Sequence, residues 1–214
     1  MDVNTTTVAV IAKTPVAGSV KTRLCPPLTP FEAASVASEL LALVVGVVES
    51  VALESVNITP AILLDGQPGS WIPDWFVVVA QRGGGLDERL ANGFDDIAGP
   101  ALIVAMDSPD VAPADIREAI AALAEGKAVI GLTVDGGYWC IGLPQPCPAA
   151  VLGVPMSRSD TGASQLARLA GVGFDVHHLR ILADVDTFDD LIATVRDNPQ
   201  SPLARWVHAT VGRS

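Results

Sequence analysis

Short apolar runs rich in Val, Ile, Leu and Ala recur along the chain, at 7–12, 57–64, 75–80, 101–105, 127–133, 137–143 and 174–180. They are continuous rather than alternating, which is the pattern of strands covered by helices on both faces. Between them lie longer segments of helical period, at 30–53, 86–97, 113–124, 162–170, 187–196 and 202–210. Strand and helix in alternation imply right-handed crossovers and a mostly parallel sheet. Asp135-Gly136-Gly137, between two strand-like runs, breaks this rhythm. It predicts a tight turn and at least one antiparallel strand late in the sheet. The expected fold class is therefore α/β: a three-layer α/β/α sandwich, mostly parallel with an antiparallel strand, in a single domain over 1–214.

Several element boundaries are marked. Asp160-Thr161-Gly162 precedes an amphipathic run, and Asp186-Thr187 precedes a first turn carrying Asp189 and Asp190, which suits the helix dipole. Asp110 reads as a cap for the helix starting near Pro113. The stretch from Pro144 to Pro155 reads as a long loop bordering a site.

Charge narrows the function. Lys and Arg number 13 and Asp and Glu 24, a formal net charge of −11. That excludes a general nucleic-acid binder and an anionic membrane surface as partners. The start Met1-Asp2-Val3-Asn4 lacks the basic, apolar build of a leader. The apolar run Leu40 to Val48, with Glu39 and Glu49 at its ends, reads as a buried helix rather than a membrane span. Cys25, Cys140 and Cys147 have no metal-site spacing and read as free thiols of a cytoplasmic protein.

Against this acidic background Lys13, Lys21 and Arg23 fall within eleven residues, in a loop broken by Pro15 and Gly18. The loop follows the first strand, and open α/β sheets bind ligands at the carboxyl ends of their strands. Arg grips two phosphate oxygens at once, Lys supplies compact charge, and Thr22 adds a hydroxyl. The segment is neither a Walker loop nor GxGxxG. Asp107 stands where the strand 101–105 ends, a good place for a ligand to a hard cation. In Asp184-Val185-Asp186-Thr187 the two carboxylates share one side of an extended segment, so one could cap the next helix and the other join Asp107. Asp135-Gly136-Gly137-Tyr138 is explained equally by a turn and by close approach of a ligand. Gln81 to Arg89 is a Gly-rich loop between strand and helix, suited to a nucleobase or ribose. His177 and His178, adjacent in a strand, point to opposite faces and read as structural. Trp71 and Trp75 read as a loop packed on the core.

In this order, AKTPVAGSVKTRL (12–24), QRGGGLDERL (81–90), MDSPD (106–110), DGGYWCIGL (135–143) and DVDTFDDL (184–191) resemble a bacterial family of small glycosyltransferase-A-fold proteins. These are known as nucleotide-diphospho-sugar transferase-like or arsenosugar-biosynthesis-type glycosyltransferases. The resemblance runs from about Val8 to Leu191. KTRL and DVDT also look like 2-phospholactate guanylyltransferase, more distantly. The resemblance implies a nucleotide-diphospho-sugar transferase fold and a Mg²⁺- or Mn²⁺-dependent glycosyltransferase with a small-molecule acceptor. Lys21–Arg23 match the loop near the nucleotide phosphates, with Ala12, Lys13, Gly18 and Thr22 expected beside them. Asp107 matches the aspartate on the metal, and Asp184 or Asp186 the second metal carboxylate. Gln81, Gly84 and Arg89 fall in the loop near the nucleobase, and Gly136, Gly137 and Tyr138 on the sugar or acceptor side. The chain departs from the family pattern at Ala105, Met106 and Met156, the last expected to face the acceptor.

Three functions follow. The first is transfer of a sugar from a nucleotide diphosphate, with Asp135 or Asp160 as the base for an acceptor hydroxyl. The second is nucleotidyl transfer from a nucleoside triphosphate to a phosphorylated small molecule, which needs no such base. The third is nucleotide binding without catalysis.

Overall fold

The computed structural model describes residues 5–210, so Met1-Asp2-Val3-Asn4, read above for its lack of a leader, lies outside the described residues. Among these residues seven strands form one sheet: β1 Thr6–Lys13, β2 Ile58–Asp65, β3 Val77–Ala80, β4 Ala101–Ala105, β5 Ala128–Leu132, β6 Tyr138–Leu143 and β7 Val176–His178. Their order is β3-β2-β1-β4-β6-β5-β7. β1, β2, β3 and β4 are parallel neighbours, as are β5 and β7, while β6 runs antiparallel to both β4 and β5. The antiparallel strand expected from the Asp135-Gly136-Gly137 turn is β6.

Among the described residues there are six α-helices, α1 Pro30–Ala52, α2 Leu86–Ile97, α3 Pro113–Ala124, α4 Thr161–Gly171, α5 Phe188–Asp197 and α6 Pro202–Thr210, of which the first four flank the sheet and the last two pack on α1. For β1, β2, β4, β5 and β6 the continuous apolar runs now have their reason, because side chains alternate faces and both faces are covered. The run at 75–80 departs from that expectation, because β3 lies at the edge of the sheet and Val77 and Val78 are exposed. Val8, Val10 and Ala12 of β1 join a core cluster with Leu41, Val44 and Val48 of α1 and Ile116 and Ala119 of α3. Ala9 turns the other way, into a cluster with Leu90 and Phe94 of α2 and Leu169 of α4. Helix α1 is long and apolar enough to cross a membrane by length and composition, but half of its most apolar stretch is buried inside the protein. Its first half packs with α5, α6, Leu24 and Leu28 in a third cluster.

Two capping expectations are corrected. The N-cap of α5 is Thr187, which exchanges hydrogen bonds with Asp190, so neither Asp184 nor Asp186 is spent on a cap. The start of α3 is closed by Asp115, whose carboxylate accepts from the Ala112 N–H at 2.7 Å; Asp110 contributes only its carbonyl, to Arg180. In each case the acid three residues after the cap reaches back to it. His177 pairs with Glu118 at 2.8 Å, Trp71 packs on the core, and Trp75 donates to Glu49 while remaining exposed. Cys25, Cys140 and Cys147 are free.

The strand order places the site. From β1 the chain winds outward through β2 to β3, then returns to β4 on the other side of β1. The connections after β1 and β4 therefore diverge, and a crevice opens at their carboxyl ends.

Candidate functional site

A cavity of about 660 Å³ occupies that crevice. Lys13 and the loop Ser19–Arg23 form one wall, Ala105, Met106 and Asp107 the floor beyond β4, and Asp184 and Asp186 the side next to the floor. Thr133, Asp135, Gly137 and Tyr138 line the opposite wall, completed by Met156, Ser157, Arg158, Ser159 and Thr161. Leu86, at the start of α2, also lines it.

Local structure explains the convergence. The Val185 N–H donates to the Asp107 carbonyl at 3.1 Å, fastening the segment before α5 to the end of β4. Val185 is fully buried, so extended geometry sends Asp184 and Asp186 to the other side, into the cavity. Lys21 is held between two apolar anchors. Val20 packs with Ala34, Ala37 and Met106, and Leu24 is fully buried among α1, α5 and α6. Its backbone is left-handed, φ 46°, a conformation that costs a residue with a Cβ roughly 1 kcal/mol.

That geometry sends the Lys21 ammonium into the acid cluster. Nζ donates to Asp107 Oδ2 and to Asp186 Oδ1, both at 2.8 Å, with the Lys21 side chain only 9% exposed. Burial disfavours its charge, but the charges and hydrogen bonds of Asp107 and Asp186 outweigh this and hold its pKa above the ordinary value. Burial likewise pushes Asp186 up, and Lys21 and Arg23 more than reverse it, so Asp186 lies below the usual carboxylate range. Asp184 has no such partner. Burial first, then the negative charges of Asp135, Asp107 and Asp186, push its carboxyl up to about 6. Arg23 reaches Asp186 only at 3.4 Å and is mostly exposed.

Of the sequence-predicted residues, Lys13, Lys21, Thr22, Arg23, Asp107, Asp135, Gly137, Tyr138, Asp184 and Asp186 line one cavity. Ala12, Gly18, Gln81, Gly84, Arg89, Gly136 and Asp160 do not line it. The Gln81 amide donates to the carbonyls of Ala12 and Leu63, both at 2.8 Å, stitching the ends of β1 and β2. Arg89 pairs with Asp65 at 2.7 Å and donates to Gln81, and the Gly84 N–H donates to Glu88. Gly136, at φ 92°, packs its backbone against the Ser159 carbonyl so closely that no Cβ would fit. Asp160 is clamped by the Arg158 guanidinium at 2.8 and 3.1 Å. Asp135 accepts from the Thr133 hydroxyl and the Gly137 N–H through Oδ1, and Oδ2 makes no hydrogen bond among the described residues. The Tyr138 hydroxyl lies 3.6 Å from Met156 Sδ and 3.5 Å from Gln165 Oε1, and burial raises its pKa, so it stays neutral.

Sequence reasoning missed Ser157, Arg158 and Ser159. The signal was present: a polar, cationic triplet between Pro155 and a helix start; the structure adds that Ser157 is left-handed at φ 58°.

The donor chemistry fits a hard divalent cation. Two carboxylates converge on one point and a third, under-neutralised, stands nearby. As the side chains stand, that point is held by Lys21, and no group of three His, Cys, Asp or Glu is arranged as a metal site among the described residues.

Solved structures of the nucleotide-diphospho-sugar transferase type share this fold. A "putative nucleotide-diphospho-sugar transferase" from Desulfovibrio desulfuricans G20 aligns with a TM-score of 0.82 at 22% identity, over 97% of this chain and 95% of that one. The 4-diphosphocytidyl-2C-methyl-D-erythritol synthase of Anaerococcus prevotii DSM 20548 aligns at 0.58 and 11% identity, over 92% of this chain and all of the other. A CMP:2-keto-3-deoxy-manno-octonic acid synthetase complexed with CTP aligns at 0.51 and 10% identity, over 92% and 99%. At these identities the likeness establishes the fold. The chain belongs to the DUF2064 family, described as uncharacterized protein conserved in bacteria, whose model matches residues 51–158. No curated protein matches it.

Proposed function

We propose that the protein is a metal-dependent transferase that takes a nucleotide diphosphate sugar as donor and a small molecule as acceptor. The observation that carries this is the layout of this cavity, with exposed cations on one wall, three carboxylates at and beside the floor, and a turn bearing Asp135 opposite. Lys13 and Arg23 would bind the diphosphate, since neither is committed to a close ion pair. Asp107 and Asp186, with Asp184, would hold Mg²⁺ or Mn²⁺, which supplies charge stabilisation for the leaving nucleotide. Gly137 and Tyr138 would border the sugar, and Met156, Ser157 and Arg158 the acceptor. Asp135 is the better candidate base. Its carboxylate lines the cavity with Oδ2 unengaged, whereas Asp160 is paired to Arg158 outside the lining.

Nucleotidyl transfer is the second reading. It is favoured by the two uncommitted cations, which suit a triphosphate, and it would leave Asp135 without a role. Ala12, Gln81 and Arg89 then act behind the nucleotide, by fixing the strand ends it rests on, and Gly18 and Gly84 belong to the loops that follow β1 and β3. Gly136 acts by seating the Ser157–Ser159 wall.

The test is a product assay with nucleotide sugars and nucleoside triphosphates, with Mn²⁺ present or chelated. Release of nucleoside diphosphate from a nucleotide sugar, lost in Asp107→Asn and in Asp135→Asn, is expected. Release of pyrophosphate from a triphosphate, unaffected by Asp135→Asn, would replace the first reading with the second. Binding without either product would overturn both.

A further inference from the structure

We infer that Lys21 is a resident counter-ion that holds the Asp107–Asp186 pair until a divalent cation and a diphosphate arrive together, when the ammonium leaves the carboxylates for the phosphate. The inference rests on the metal-dependent reading above and adds an order to it. The Lys21 ammonium sits 2.8 Å from both Asp107 and Asp186, the two carboxylates that would hold a divalent cation. It is set there by the protein rather than by chance of a flexible surface chain. Val20 and Leu24 are buried on either side of it, and its backbone is held left-handed. An ammonium and a divalent cation cannot share that point, because like charges at contact repel strongly in a half-desolvated site.

The same arrangement supplies a reason for the ammonium to leave. Lys21, Lys13 and Arg23 line one wall of a single cavity, so a diphosphate bound there offers Lys21 a second anion. Lys carries its charge on a flexible stem and can change partner without moving its anchored backbone. Metal and diphosphate then help each other bind, and by linkage the help is reciprocal. Metal alone must compete with Lys21, which keeps the site closed to free divalent ions.

The test is calorimetric titration of Mn²⁺ alone into wild type, Lys21→Met and Arg23→Met. Arg23→Met removes a charge from the same wall without vacating the pair. Lys21→Met should bind Mn²⁺ about tenfold tighter than wild type, or more, and Arg23→Met less than about threefold tighter. Equal gains in both variants would reduce Lys21 to a general field effect and overturn the inference. An unchanged Mn²⁺ affinity in Lys21→Met would also overturn it, while leaving the metal assignment intact. Absence of Mn²⁺ binding in every protein, even with inorganic pyrophosphate, would overturn the metal reading itself. A second readout is melting temperature. Wild type should need Mn²⁺ and pyrophosphate together for its full rise, whereas Lys21→Met should rise with Mn²⁺ alone and gain little from pyrophosphate. A pyrophosphate increment as large in the variant as in wild type would refute the change of partner. If Lys21→Met does not fold, Lys21→Gln keeps a polar, uncharged end on a stem one atom shorter, and the same outcomes apply.

Discussion

Asp184→Asn should make the metal-free protein more stable, and only above a defined pH. In the folded chain the Asp184 carboxyl is pushed up to about 6 from an ordinary 3.8, by burial and by Asp135, Asp107 and Asp186. The folded state thus binds this proton more tightly than the unfolded chain does. Between those two values stability falls as pH rises, and above about 6 the whole penalty is present. Taken at face value a displacement of this size corresponds to about 3 kcal/mol. The group is only half buried, so water screens most of it, and about 1 kcal/mol is the reasonable expectation. For a chain of this length that is about 2–4 °C in melting temperature. Asparagine keeps the shape and removes the charge. Thermal unfolding with a chelator, from pH 4 to pH 8, should show the variant about 2–4 °C above wild type at pH 8, with the gain gone by pH 4. A gain that did not change with pH, or a wild type more stable at pH 8, would refute the account of a crowded, under-neutralised carboxylate. On the metal-dependent reading proposed above, this is the charge that a bound divalent cation would neutralise.

Two further substitutions test the frame around the site. Ser108 is fully buried next to Asp107, and its hydroxyl has no hydrogen-bond partner. Ser108→Ala should therefore stabilise the fold by about 1 kcal/mol, read as a higher urea midpoint with an unchanged slope; a lowered midpoint would show that the hydroxyl is bonded in solution. Gly136→Ala meets both a left-handed backbone at φ 92° and the Ser159 carbonyl, and should cost about 2 kcal/mol or more. Gly99→Ala, where a Cβ meets nothing within 4 Å, should lie within about 0.5 kcal/mol of wild type. Equal melting temperatures for the two glycine variants would remove the packing argument.

The elements were legible because each is locally consistent. The strand at 101–105 and the helices at 86–97, 113–124 and 202–210 match the apolar pattern residue for residue. Pro30 and Thr29 open α1 with a capping box, and the Asp135-Gly136-Gly137 turn reverses the chain into β6. The alternation rule also set Asp184 and Asp186 on one side of Val185, where both line the cavity. Less legible was what each polar residue does once there. Gln81 and Arg89 sit beside the carboxyl edge, yet their side chains bond to Ala12, Leu63 and Asp65. Those bonds close only when β1 and β2 lie side by side, and no local pattern states which backbone carbonyls will be left unpaired at a strand end. The capping of α5 and α3 misled for a simpler reason. A string of acids offers several candidate caps, and in both helices it is the acid three residues after the cap that accepts from the cap's N–H.

Lys21 shows most clearly where sequence reasoning stops. From the sequence it is one of three equivalent cations in an acidic chain, all expected on phosphate. In the structure the three separate by geometry: Lys21 is buried on two carboxylates, Arg23 touches one of them at a distance, and Lys13 lines the cavity without an ion pair among the described residues. The partners of Lys21 lie 86 and 165 residues away in the chain. Only the topology, with the segment before α5 fastened to the end of β4, brings them to one point. The cationic loop and the acidic floor are therefore not two halves waiting on opposite sides of an empty crevice. One cation already stands among the acids, and this makes the affinity for metal, rather than for nucleotide, the quantity that Lys21 should control most strongly.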